Sequence, residues 1–519
     1  MTQSPARVLI AGGGPVGLVA ALALARQGLR SVVIEADGDV CEGSRATCIS
    51  RRSLQVLERL GADAAFIAKG LGWTQGRTYL GTHEVFRLQM SQTEDDRFPP
   101  FINMGQNTAE RLLVDACAQT GLVEIRWNSR VIAIRSSKSS VALDVESGGR
   151  RETLQTEWVV AADGARSAIR EAMGLKLEGA SFHSRYLIAD IKMHCDWPTE
   201  RKVWFDPHSN PGSTVIMHRQ PDDIWRIDYQ LRPEDDSERE LQESRVRERV
   251  AAHLAMVGLT GQWTLIWKSL YQARALSLQR YLHGRVLFAG DAAHLVPIFG
   301  VRGLNSGIDD ACNLGWKLAL VLNGLAAESL LESYNKERHD AYLENIENAI
   351  KTTWFMSPPS DGFVLARDAA LELATRHTQF STLIDPRQSS AHRYRSTAVA
   401  ENPTCPLIGL PLPESRLVDG TSIYRYLGAA FSTLRVAVRK GDIATTDRES
   451  DNVAVRDVEI PADLLPPEKL GIAPNDALLI RPDGYVAAFS HGNVADLDAA
   501  LPGLLGRPSQ SEPQQRVAR

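Results

Sequence analysis

Three glycines, Gly12, Gly14 and Gly17, stand in the spacing G-x-G-x-x-G, and the carboxylate Glu35 follows 18 residues after the last of them. Glycines at this spacing permit a tight turn, a close backbone approach to a pyrophosphate and close packing of helix on strand. An acid roughly 20 residues further on suits a ribose hydroxyl. Two more acids, Asp163 and Asp291, each come just after a short apolar run, Trp158–Ala162 and Val286–Ala289. An acid in that position sits at the carboxyl edge of a parallel sheet, where ligands bind. Arg45 precedes a helix start and could pair with phosphate. His294, wedged against a Gly-Asp turn, reads as a packed structural histidine. His218, Trp204, Trp225 and Tyr229 lie among alternating apolar and polar residues, a pattern that can wall an aromatic pocket.

The elements that must position these residues follow from periodicity. Val8–Ile10 is a buried strand, Ala20–Arg26 a helix closed by Gly28, and Ser31–Ile34 a second strand, which makes a βαβ unit. A helix opens near Ser53, with Arg51 and Arg52 as a solvated start. Gln106–Ala118 is another helix. Glu124–Trp127, Ser129–Ser136 and Val141–Glu146 read as a small antiparallel excursion on the main sheet. Residues 180–270 read as a mostly antiparallel sheet, its strands over Tyr186–Leu231 followed by a helix over Glu238–Met256. Gly303 breaks the chain before a long helix, Leu304–Leu322, whose N-terminus points back towards Asp291. Ala349–Pro359 leads into a linker. Beyond Pro403 four strands mark a separate α/β unit, and the tail after Gly506 is polar and expected to be disordered.

The bulk numbers exclude several classes. The chain has 519 residues, a formal net charge of −5, and 44% hydrophobic and 23% charged residues. Its basic residues are scattered, so nothing draws it to nucleic acid or to an anionic membrane. Residues 8–25 are apolar, but three glycines and a proline interrupt them, so neither a signal peptide nor a transmembrane helix is expected. None of the six cysteines forms C-x-x-C. That composition fits a reduced, cytoplasmic protein with no dithiol centre and no metal site.

Three stretches together, G-G-G-P-V-G at Gly12–Gly17, D-G-A-R-S at Asp163–Ser167 and G-D-A-A-H-x-x-P at Gly290–Pro297, closely resemble the group A flavoprotein aromatic hydroxylases, single-component FAD monooxygenases of phenols. R-P-D-G-Y-V at Arg481–Val486 extends the resemblance to the phenol hydroxylase and hydroxyphenylpropionate hydroxylase branch. The resemblance implies an α/β fold. It has a Rossmann-like FAD-binding domain of the glutathione-reductase type (residues 1–179 and 276–400), an inserted, mostly antiparallel substrate sheet (180–275) and a C-terminal thioredoxin-like domain (401–519). It implies FAD held by Gly12, Gly13, Gly14, Pro15, Val16, Gly17, Glu35, Ala36, Arg45, Gln106, Val131, Asp163, Gly164, Asp291, Pro297, Gly303, Leu304 and Asn305. The substrate would lie against His218, Trp225, Tyr229, Tyr271 and Pro297, with Tyr271 catalytic. The implied partners are NADH or NADPH, dioxygen and a small aromatic substrate, and a homodimer through the C-terminal domain.

Two features depart from the family pattern. Pro297-Ile298-Phe299-Gly300-Val301-Arg302-Gly303 replaces a more glycine-rich text, and Ser50, Arg51 and Arg52 stand where phenol hydroxylases often carry an aspartate. On the resemblance, reduced FAD reacts with dioxygen to a flavin 4a-hydroperoxide that hydroxylates a phenolate ortho or para to its oxygen. Attack at a carbon bearing nitro or halogen, which would release that group and leave a quinone, stays open. A disulfide reductase would need a second dinucleotide motif and a cysteine pair, and a non-enzymatic FAD-fold carrier would not need Glu35, Asp163 and Asp291.

Overall fold

The computed structural model describes residues 6–384, 391–400, 402 and 404–507. Val8–Ala11 is flanked in parallel by Trp158–Ala161 and Ser31–Ile34, so Val8 lies between Trp158 and Ser31. Val286–Phe288 and Val123–Arg126 extend this sheet in parallel on either side, and Leu282–His283 closes one edge antiparallel. The strands read as continuous apolar runs because both faces of a parallel sheet are covered. Val123–Arg126 is therefore an edge of the main sheet and not part of the antiparallel excursion. The helix Gln106–Thr120 returns the chain to run beside Ser31–Ile34. The excursion itself is Ser129–Ser136, Val141–Ser147 and Arg150–Thr156.

The helices Pro15–Arg26 and Gly303–Leu322 cross at very short range. A Cβ placed on Gly315 would lie 2.4 Å from the Cβ of Ala23, and one on Gly307 would lie 2.5 Å from a Val16 methyl. Small residues at these points set the crossing.

The second sheet has eight strands, in the order His294–Leu295, Thr264–Ser277, Glu178–Lys192, Ile224–Leu231, Thr214–Arg219, Arg201–Phe205, Gln75–Leu80 and His83–Gln89. Two of these strands come from residues 75–89, outside the span 180–275. They join because Gln75–Leu80 pairs in parallel with Arg201–Phe205. The helix Glu243–Met256 covers one face, and Trp204, Trp225, Tyr229, Val246, Val250 and Leu254 pack between them. The other face looks towards the carboxyl edge of the first sheet.

No linker begins at Ala349: the helix Leu330–Met356 runs through it, and Asp361–Arg376 follows. The C-terminal sheet has five strands, with Ala444–Ser450 at its edge and the helix Val494–Leu504 packed on it. The polar text A-T-T-D-R-E-S of that edge strand carries no apolar alternation, which is why only four strands are legible in the sequence. The tail expected to be disordered lies outside the described residues from position 508 onwards. The C-terminal unit locks onto the long helices through buried charge. Arg481 donates to both carboxylate oxygens of Glu337 at 2.7 and 3.0 Å, Lys317 reaches Glu337 at 2.7 Å, and Trp316 Nε1 donates to Asp483 at 3.1 Å. Among the described residues, no helix is long and apolar enough to cross a membrane.

Candidate active site

One cavity of about 960 Å³ runs from the glycine-rich turn to the open face of the second sheet. It lies at the upper end of the ~300–1,000 Å³ range typical of ligand sites. At the first end, Gly12 adopts φ +102°, and a Cβ there would lie 2.4 Å from the Ala162 carbonyl oxygen. A Cβ on Gly17 would lie 1.9 Å from the Gly12 carbonyl oxygen, so only glycine closes this turn. The helix behind it, Pro15–Arg26, has no side-chain cap. Its uncapped N–H groups and positive dipole end face the cavity, the arrangement that binds phosphate. Glu35 Oε2 accepts from the Gly13 N–H at 2.5 Å and Oε1 from the Asp37 N–H at 2.9 Å, which holds the carboxylate at the rim.

At the middle of the cavity two sheet-edge acids and a second helix converge. Asp163 Oδ2 accepts from the Ile169 N–H at 3.1 Å, while its buried Oδ1 has no partner among the described residues. Asp291 opens onto the cavity but is surrounded by protein, and that burial raises its pKa. Its turn is fixed from behind by Asp310, which accepts from the Gly290 N–H at 3.0 Å, lies 2.7 Å from His294 Nε2 and takes Arg338 Nε at 2.6 Å. His294 is buried in this structural role. The helix Gly303–Leu322 also lacks a side-chain cap, and its first intrahelical N–H bond is that of Ser306 to Arg302. The N–H groups of Gly303, Leu304 and Asn305 are thus left for a ligand. The Asn305 side chain is spent elsewhere, accepting from the Ser50 N–H at 2.9 Å and from Ser53 Oγ at 2.7 Å.

Of the residues singled out in the sequence, Gly12, Gly13, Gly14, Pro15, Val16, Glu35, Ala36, Arg45, Gln106, Val131, Asp163, Gly164, Asp291, Pro297, Gly303, Leu304, Asn305, His218 and Tyr271 all line this cavity. Gly17 lies behind it as the packing residue. Tyr271 Oη donates to the Val296 carbonyl at 3.4 Å, and burial raises its pKa well above the usual tyrosine value.

Trp225 and Tyr229 do not belong to the cavity. Strand alternation puts them on the face covered by Glu243–Met256, where Trp225 Nε1 donates to the Met193 carbonyl and Tyr229 Oη to the Arg249 carbonyl. Their neighbours Arg226 and Asp228 take the cavity side instead. Both faces of the sheet are buried, so alternation alone did not reveal its phase.

The comparisons with known proteins bear on this arrangement. A family model described as an FAD binding domain matches residues 5–349, and one described as the C-terminal part of aromatic-ring hydroxylases matches residues 405–508. The chain belongs to the FAD-dependent aromatic-ring hydroxylases. It is 28% identical to the 3-(3-hydroxy-phenyl)propionate/3-hydroxycinnamic acid hydroxylase of Mycobacterium avium strain 104, over 83% of this chain and 77% of that one. It is 31% identical to a flavin-dependent monooxygenase of Mycobacteroides abscessus, over 64% of this chain and 70% of that one. Its fold is similar to that of the flavin-dependent monooxygenase PieE, with a TM-score of 0.82 at 21% identity, covering 98% of this chain and all of that one.

FAD fits the hydroxylase's cavity on its own geometry. Two uncapped helix N-termini, an unpartnered buried acceptor on Asp163 and open space at the Cβ positions of Gly164 and Gly303 leave room and hydrogen-bonding capacity for it. The hydroxylase also brings to the cavity three residues that sequence reasoning did not single out, Arg201, Arg226 and Asp228. Asp228 Oδ1 accepts from Arg226 Nε at 2.7 Å, and burial raises the Asp228 pKa. Their signal was present in W-R-I-D-Y-Q-L, where charged residues alternate with apolar ones in a strand. Charge at every second position of a buried strand marks a face that looks onto something polar.

Proposed function

We propose that the enzyme hydroxylates a substituted phenol, ortho or para to its hydroxyl, with dioxygen and electrons from NADH or NADPH. The observation that carries the reading is Asp228 with Tyr271 at the sheet end of the cavity, beyond the helix N-terminus at Gly303. Glu35 takes the adenosine ribose, Arg45 and Gln106 take the pyrophosphate and ribityl region, and Asp291 takes a ribityl hydroxyl. Asp163 and Gly164 serve both FAD and the reductant. Pro297 lies against the flavin ring, and the Gly303, Leu304 and Asn305 N–H groups meet its pyrimidine edge. A helix N-terminus there stabilises negative charge. Bound FAD, once reduced, supplies the activation of dioxygen.

The chain's own residues prepare the substrate. Tyr271 orients the phenol oxygen. Asp228, with one oxygen held by Arg226 and the other free among the described residues, takes the phenol proton directly or through one water. Deprotonation activates the ring, and a buried pocket keeps bulk water away. We place the enzyme in the cytoplasm as a homodimer, with FAD-binding, substrate and C-terminal thioredoxin-like units as set out from the sequence. The six cysteines are free thiols, in keeping with a reducing compartment.

The test is a panel of phenols offered with NADH or NADPH, scoring hydroxylated product against hydrogen peroxide. Purified protein is expected to be yellow, with one non-covalent FAD per chain and product formation from at least one phenol. Folded protein that cannot be loaded with FAD, or that only oxidises reductant to peroxide with every phenol, overturns the reading.

A further inference from the structure

The sheet face that walls the first cavity carries a second one further along the same strands. In the strand Ile224–Leu231, Arg226 and Asp228 line the first cavity and Gln230 lines the second. The second cavity has a volume of about 1270 Å³ and lies between the sheet, the end of the helix Leu330–Met356 and the helix Asp361–Arg376. Exposed His183, Asp206 and Glu372 stand at its mouth. Phe182, Phe205, Trp354 and Leu371 supply apolar wall, which suits a flat aromatic ring.

Tyr186 stands between the two cavities. In the sheet it is flanked by Gln230 on one side and by Tyr271, of the first cavity, on the other. Its ring meets Phe299 of the first cavity edge-on, with centroids 5.5 Å apart, and its hydroxyl lies 3.0 Å from Ser357 Oγ in the second. Gln230 Nε2 donates to the same Ser357 Oγ at 2.6 Å, and Thr214 Oγ1 donates to Gln230 Oε1 at 2.9 Å. This polar group sits within an apolar cluster that includes Val203, Ile216 and Met356. Ser357 belongs to the short connection between the two helices, ahead of Pro358 and Pro359. It is the shared partner of Tyr186 and Gln230, so one displacement of that connection frees both, and water or an incoming hydroxyl can take up the bonds.

We propose that the second cavity is the vestibule through which the phenol reaches the flavin, and that Tyr186, Ser357 and Gln230 form the door between the two. FAD laid from the turn at Gly12 to the helix at Gly303 occupies the first cavity along its length. Its ring then stands between the phosphate end and the sheet end, so a substrate that arrives after the cofactor needs an entrance on the sheet side. The vestibule supplies it, and the closed door keeps bulk water from the reacting ring. This proposal rests on the reading of the first cavity as the site of FAD and a phenol.

The experiment mixes oxidised, FAD-loaded enzyme in a stopped-flow instrument with the phenol that gives most product in the panel above. The change in the flavin spectrum gives the association and dissociation rate constants. A door alters the barrier to entry and exit alike, so both rates move by one factor and Kd stays where it was. Ser357→Ala removes both bonds to the door and should raise the two rates about tenfold each, with FAD content unchanged. Ser184 lines the vestibule, and Ser184→Trp should slow both rates about tenfold, again at unchanged Kd. If Ser184→Trp does not take up FAD, Val364→Trp narrows the same space from the facing helix and must show the same slowing. Unchanged rates in either kind of variant overturn the proposal. So does a tryptophan variant that weakens binding through faster dissociation alone, which is the mark of damage to the first cavity. If no phenol perturbs the flavin of the unaltered enzyme, the reading of the first cavity fails, and this proposal with it.

Discussion

Asp291 and Asp228 are both carboxylates on the cavity wall, Asp291 exposed to the cavity and Asp228 buried, and their surroundings set them different tasks. Asp291 faces the middle of the cavity, with its turn clamped by Asp310. If it holds the ribityl chain as proposed, replacing it with Ala removes a charge-assisted bond of ~1.5–3 kcal/mol, so Asp291→Ala should weaken FAD binding about tenfold or more. Titrating flavin fluorescence against apoenzyme checks this, and unchanged affinity would show that Asp291 does not hold the ribityl chain. Asp228 must be ionised to accept a proton, and burial raises its pKa. The acid limb of kcat/KM should therefore lie above the ordinary carboxylate range, with activity rising as pH rises through it. Asp228→Asn should lose ~10²–10⁴-fold in hydroxylation and lose that limb. Tyr271→Phe should keep FAD and reductant oxidation but hydroxylate more slowly and release more peroxide. Stopped-flow rates with product analysis decide, and an unchanged hydroxylation rate would reduce Tyr271 to a strut for the Val296 carbonyl.

At the scale of elements, the two helices that offer their N-termini to the cavity depend on bare backbone where they meet. Gly315→Ala sets two Cβ atoms 2.4 Å apart and should lower stability by ~1–3 kcal/mol in urea unfolding. Ala23→Gly in the same chain should restore most of that loss; if it does not, the contact does not set the crossing. The βαβ unit over Val8–Ile34 was legible in the sequence, because its glycine spacing and apolar runs are local. So was the helix opening at Gly303. What was not legible depends on partners far along the chain. Arg52 reads as a solvated helix start, yet it bonds Asp309 at 3.1 Å and the Asp483 carbonyl at 2.9 Å beneath the C-terminal unit. Trp225 and Tyr229 read as pocket walls, yet a helix that follows them in sequence claims their face. Arg201 gave no sign in the sequence, since only the fold brings it to the cavity wall.

Over the whole molecule, buried charge joins the C-terminal unit to the cavity. Arg481 and Lys317 hold Glu337 well below its ordinary pKa, and His294 and Arg338 lower Asp310 to about 2. A carboxylate with a depressed folded pKa contributes stability above its unfolded value. That contribution should drain away as pH falls from ~4 towards 2. Arg481→Met leaves Glu337 and Asp483 short of a cation and should cost ~3–5 kcal/mol. Urea unfolding at neutral pH reads the loss, and a smaller deficit near pH 3 is expected. The same long-range wiring bears on how a newly made chain acquires its flavin. The turn at Gly12 emerges first, but Asp291 and the Gly303–Asn305 N–H groups follow roughly 290 residues later. At about 5–20 residues per second, a growing chain carries half a binding site for roughly 15–60 s before the other half exists. Chains that stop short of residue 305 should hold no flavin, and a nascent chain should turn yellow only late in its synthesis.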